Sequence, residues 1–153
     1  MKKQNEGFTL IELLLVIAVI VALAVTVFVA LNPTKRLADA RDARRTADVD
    51  TILMAIQQYV ADNRGSLPTG VTSTPKMLGT ATTGCTNTSN GCNTGTACLD
   101  ASSTLAAYLK SIPLDPKVGT ATGTFYSVEA DANNMVTVKA CAAENTTPIQ
   151  SSR

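Results

Sequence analysis

The 153-residue chain contains no histidine and no tryptophan. The first absence removes Ser-His-Asp and Cys-His nucleophile systems, and with them every histidine-containing metal site. Aromatic residues are scarce, three Tyr and three Phe, so few large side chains are on hand to build a core. The formal charge is only +1, which argues against a nucleic-acid-binding surface made from basic excess. No Cys-x-x-Cys, Gly-x-Gly-x-x-Gly, Walker or Gly-x-Ser-x-Gly motif occurs. Acidic residues that could pair for acid/base work mostly sit beside arginines in one charged segment. No catalytic residue, cofactor, metal or nucleic-acid partner is expected, and the chain does not read as an enzyme.

What the chain does have is one long apolar run. From Phe8 to Leu31 only Thr9, Glu12 and Thr26 carry a hydroxyl or a charge. As a helix this run extends roughly 36 Å, enough to cross a hydrocarbon core of about 30 Å. It exceeds the apolar core of a secretory signal peptide, about 7–15 residues. Glu12 is the anomaly, because an ionised carboxylate in such a run costs about 2.5–3.5 kcal/mol on insertion scales. No Lys, Arg or His between Phe8 and Leu31 can pair with it. A cut between Gly7 and Phe8 would create a cation near Glu12, on the same chain or, with better geometry, on a neighbour in a stack of parallel helices.

The basic leader with Lys2 and Lys3, followed by Gly7-Phe8-Thr9-Leu10-Ile11-Glu12, resembles the class III signal of type IV pilins and pseudopilins. The resemblance implies that a prepilin peptidase cleaves between Gly7 and Phe8 and methylates the Phe8 amine. It also implies that Glu12 acts in assembly, docking the subunit into a homopolymeric filament built by pilus or secretion machinery. Before assembly such a subunit is a single-pass protein of the cytoplasmic membrane with its globular domain extracytoplasmic; afterwards it belongs to a cell-surface filament. The Tyr59–Pro68 and Tyr108–Pro116 segments, with the Gly/Thr loop and Tyr-bearing strand beyond, look like those of major type II secretion pseudopilins. Two alternatives to a surface pilin therefore stand: a major pseudopilin, and a single-pass anchored binding module that never polymerises.

The remainder divides by composition. The expected domains are a leader at 1–7, a transmembrane or filament-core helix at 8–31, an amphipathic helix at 32–64 and a small extracytoplasmic domain at 65–153. At Asn32-Pro33 either a second helix starts, capped by Asn32 with Pro33 at its first position, or one long helix kinks at Pro33. Val49, Ile52, Leu53, Ile56, Tyr59 and Val60 fall on one helical stripe. Upstream, Lys35 to Asp50 interleaves opposite charges, the pattern of a solvated face. Gly65 is placed for a left-handed helix cap. The basic residues after the apolar run outnumber those before it, which taken alone would keep the C-terminal side in the cytoplasm; the cysteines and the leader argue the opposite orientation.

Cys85, Cys92, Cys98 and Cys141 fit an oxidised disulfide framework. Three pairings are open, and the expected one closes Cys85–Cys92 locally and ties Cys98 to Cys141. Ser102–Ile112 reads as a short helix. Phe125–Val128 and Met135–Val138 read as an antiparallel hairpin about the Asp131–Asn134 turn, with a frayed tail after Cys141. Asn87-Thr88-Ser89 and Asn145-Thr146-Thr147 match a glycosylation pattern that a Thr/Ser/Asn-rich chain produces by chance. The expected fold class is α+β: a long N-terminal helix carrying a small disulfide-held domain with a short helix and a hairpin or small sheet.

Overall fold

The computed structural model describes residues 7–145 and 148–153; the expected leader, Gly7 apart, and Thr146–Thr147 of the second glycosylation match lie outside them. The chain forms two compact units that divide between Leu37 and Ala38.

The first unit is dominated by α1 (Leu10–Leu31), none of whose residues is buried. It ends where Asn32 turns left-handed, at φ 41°. Pro33 enforces this stop, because its ring disfavours the helical conformation for the residue before it. Helix α2 (Pro33–Asp62) starts at once. The Asn32 carbonyl accepts the N–H groups of Lys35 and Arg36, and its side chain accepts the Thr34 hydroxyl at 2.8 Å. Leu10–Asp62 is thus one helical run interrupted at a single residue, with Pro33 at the first helical position, where its missing N–H costs nothing.

In the second unit α2 buries the expected stripe, Val49, Ile52, Leu53 and Ile56, with Tyr59 and Val60 partly buried beside it. Opposite lies a four-stranded antiparallel sheet in the order β1 (Lys76–Met77), β2 (Tyr126–Ala130), β3 (Val136–Ala140), β4 (Gln150–Ser152). The period-two alternation puts Tyr126, Val128, Ala130, Val136, Val138 and Ala140 into the same core as the α2 stripe. The expected hairpin is present: Val128 pairs with Val138, and Asp131 caps the turn by accepting the N–H groups of Asn133 and Met135. Helix α2 stops with Gly65 left-handed at φ 85° and its N–H bonded to the Val60 carbonyl.

Four expectations are corrected. The disulfides are Cys85–Cys98 and Cys92–Cys141, with Cα separations of 5.3 and 5.7 Å, not Cys85–Cys92 and Cys98–Cys141. The intervening loop doubles back through a two-way backbone pairing of Asn87 with Asn93, which sets Cys85 opposite Cys98. Asn93, fully buried, holds this loop by donating to the carbonyls of Cys85 and Ala97 and accepting from Gly95 N–H. Cys92 is left over the sheet face away from α2, against the Ser127 hydroxyl, within reach of Cys141.

Ser102–Tyr108 forms successive turns rather than a helix. The i to i−4 bonds onto Ala101 and Leu105 do not propagate, as expected where so short a segment must meet the cost of nucleation. The tail does not fray after Cys141, because β4 pairs with β3 and covers an edge that would otherwise leave backbone groups unpaired. Finally, the charged segment is not simply a solvated face: Arg45 is fully buried and Asp42 nearly so.

Phe125, just before β2, holds φ at 63°, a left-handed conformation that costs a non-glycine residue about 1–3 kcal/mol. Its carbonyl accepts the Cys141 N–H at 2.9 Å, which fixes it in place.

Candidate processing and assembly site

Gly7 and Phe8 precede the first turn of α1 without regular structure, and Phe8 is 89% exposed. Thr9 is the N-cap, extended at φ −78° and ψ 150°. Glu12 sits three residues on, where its carboxylate accepts the Thr9 N–H at 2.9 Å and the Thr9 hydroxyl at 2.7 Å. The Glu12 N–H returns a bond to the Thr9 hydroxyl at 3.3 Å. This is a reciprocal capping box. It gives Glu12 hydrogen-bond partners within its own chain, although no cation lies nearby in sequence, and places a negative group at the positive end of the helix dipole. Gly7, Phe8 and Glu12 are therefore gathered within the first turn and its approach. Thr9 joins them as a residue not expected from the charge argument; the Thr-x-x-Glu spacing is the signal that marks it.

The second unit carries a cluster equally unforeseen. The Arg45 guanidinium donates to both oxygens of Asp115, at 2.6 and 3.1 Å, to Asp42 at 2.7 Å and to Glu144 at 3.0 Å. Arg41 grips both oxygens of Glu144, at 2.6 and 2.7 Å, and Lys117 adds a contact at 2.9 Å. Asp42 in turn accepts the backbone N–H groups of Glu144 and Asn145. Asp115 accepts those of Lys117 and Val118, in a turn so tight that a side chain at Gly119 would strike the Asp115 backbone.

Burial by itself would raise the carboxyl pKa of Asp42 and Asp115, but the N–H and guanidinium donors outweigh it and hold both below the ordinary range. Glu144 is lowered chiefly by Arg41 and Lys117. Burial would lower Arg45, yet its three carboxylate partners raise it. The cluster clasps the segment after Cys141 to α2. Its sequence signal is the apolar stripe extended back from Val49, since positions i−4 and i−7 are Arg45 and Asp42.

Fold and site together define a protein with one exposed helix, long and apolar enough to cross a membrane, and a disulfide-held α+β unit. Its N-terminal segment is more specific. Residues 2–28 match a family model described as the prokaryotic N-terminal methylation motif, the class III signal peptide of type IV pilins and pseudopilins. The segment is similar to that of pilin-like and pseudopilin precursors, which prepilin peptidase processes, and the motif is that of a structural family rather than an enzyme class. No curated protein and no solved structure matches the chain.

Proposed function

We propose that this protein is a pilin: a structural subunit cleaved between Gly7 and Phe8, methylated on the Phe8 amine and polymerised through α1 into a type IV pilus-like filament. The observation that carries the reading is α1 itself. Its apolar surface is exposed along its whole length, and it opens on the methylation motif. Such a surface requires lipid or neighbouring helices to cover it. In the membrane-stored subunit Thr9 satisfies Glu12; in the filament the cleaved Phe8 amine of a neighbouring subunit pairs with it. Pro33 marks the break at the end of the apolar run, and the unit beyond is carried extracytoplasmically.

The disulfides, rather than the charge count, support that orientation: Cys85–Cys98 and Cys92–Cys141 belong to an oxidising, extracytoplasmic compartment, whereas the excess of Lys and Arg after the span taken alone favours the reverse.

The test is the N-terminal mass of the chain recovered from membranes and from sheared surface material, with its peptidase present. A chain beginning at methylated Phe8 in the sheared fraction is expected. Gly7→Val should retain Met1, and Glu12→Ala should remain inserted yet yield few filaments. A wild-type chain still beginning at Met1 refutes the processing reading, and a processed chain confined to the membrane fraction favours a pseudopilin.

A further inference from the structure

The disulfide loop and the irregular segment leading into β2 border an open groove of about 230 Å³. No charged side chain contributes to its lining. It is walled by the hydroxyl residues Thr83, Thr86, Thr120 and Thr122, the carboxamide residue Asn87 and a single aromatic residue, Phe125. Phe125 is also the residue held left-handed. A glycine there would relieve the strain, yet the chain carries a large ring. Strain of this kind persists where the surroundings over-determine it, and such positions cluster at functional sites.

The groove is preformed. Backbone bonds from Thr80 to Ala121 and from Ala81 to Thr122 fasten one wall to the other, and the Cys85–Cys98 disulfide anchors the loop carrying Thr83, Thr86 and Asn87. Thr120 and Thr122 share a hydroxyl–hydroxyl bond at 2.9 Å, and Thr86 donates to the Gly95 carbonyl. Among the described residues, the Thr83 hydroxyl and the Asn87 side-chain NH2 group have no partner, while the Asn87 side-chain oxygen accepts the Ser89 N–H at 3.1 Å. They remain available as a donor–acceptor hydroxyl and a two-proton donor.

We propose that this groove binds one neutral pyranose ring of a glycan. A pyranose offers a C–H face to an aromatic ring and a rim of hydroxyls that both donate and accept. Phe125 matches the first, and Asn87, Thr83 and the threonine hydroxyls match the second. The absence of lining charge disfavours phosphate, carboxylate and ammonium ligands. The volume lies below that of pockets for drug-sized ligands, about 300–1,000 Å³, and suits a single ring. Affinity for an isolated monosaccharide on so open a site should be weak, with a Kd of about 1 mM.

The experiment is saturation-transfer NMR on the full chain in detergent micelles, titrated with the methyl glycosides of glucose, galactose and N-acetylglucosamine, and with sorbitol as the acyclic control. At least one glycoside should receive saturation mainly on one face of its ring, and sorbitol none. Phe125→Ala should weaken binding about tenfold or more while Phe125→Tyr retains it. Because Phe125→Ala also alters a strained turn, Asn87→Ala and Thr83→Val serve as loop variants, expected to weaken binding several-fold with disulfides intact by mass. No transfer to any glycoside, equal transfer to sorbitol, or wild-type binding by both Phe125→Ala and Asn87→Ala overturns the proposal.

Discussion

Replacing Arg45 by Gln tests whether the carboxylate clasp holds the second unit together. Gln keeps much of the length but removes the charge and most of the donors. Asp115, whose side chain is 0% exposed, loses both guanidinium bonds, while Asp42 and Glu144 retain other partners. Breaking a buried ion pair from one side costs about 3–5 kcal/mol, mostly the penalty of an uncompensated charge. Against a total stability of about 5–15 kcal/mol, this lowers Tm by about 10–25 °C in a unit of this size. The assay is thermal melting followed by tyrosine near-UV circular dichroism of the full chain in detergent, because Tyr126 is buried in this unit and the far-UV signal of α1 would mask the transition.

A second variant separates charge from packing. When Arg45→Gln is combined with Asp115→Asn, the carboxamide introduced at position 115 can still accept the Lys117 and Val118 N–H groups. Position 115 then no longer holds a carboxylate opposite a neutral side chain, while Asp42 keeps its backbone N–H donors and Glu144 keeps Arg41 and Lys117. The double variant should melt well above the single one, with the non-additivity of groups in direct contact. A single-variant shift below about 3 °C, the scale of an exposed ion pair worth at most about 1 kcal/mol, would refute the reasoning.

Acid, disulfide removal and cap loss each probe a different group. Asp42, Asp115 and Glu144 have lowered folded pKa values, so their contribution is present above the unfolded values of about 3.9–4.3 and is lost as pH falls through the folded ones; acid titration by near-UV circular dichroism should show loss of structure beginning below about pH 4. Non-reducing peptide mapping should recover Cys85–Cys98 and Cys92–Cys141, and removing the longer-range bridge, which spans 49 residues against 13, should cost more, about 4 against 3 kcal/mol on loop entropy, in denaturant melts. Thr9→Val should speed amide hydrogen exchange in the first turn of α1 by about fivefold, the scale of the ~1 kcal/mol that loss of an N-cap hydroxyl costs, whereas Thr9→Ser should exchange like the wild type.

The parts of the fold legible in the sequence are those set by local periodicity and turn chemistry. The apolar run from Phe8, the stripe from Val49 to Val60, the left-handed stop at Gly65 and the Asp131 hairpin each follow from residues close together in the chain. What was not legible depends on long-range geometry. Cys85 faces Cys98 because Asn93 folds the loop back beneath it, and nothing local distinguishes that pairing from the shorter one. Strand β4, of Gln and Ser, lacks an apolar alternation and exists because β3 presents an edge. Thr9 carries a readable signal in its spacing to Glu12, but a carboxylate in an apolar run directs attention to cations, and here its partners are a hydroxyl and a backbone N–H.

The clasp matters most because of where it lies on α2. Downstream of Asp48 the helix is held by apolar side chains, whose attraction is non-directional and tolerates small shifts. Upstream, toward the start of the second unit, it is held by Arg45, Asp42 and Arg41 through bonds that fail when donor and acceptor move by about 1 Å. A Leu at position 45 would extend the apolar stripe by one turn and pack without directional bonds, with Asn32-Pro33 and the charged stretch from Lys35 to Asp42 still separating it from α1. A buried arginine that must meet Asp115 and Glu144 instead sets the register of α2 against the loops of the second unit. The desolvation of Arg45 is the stability given up for that register.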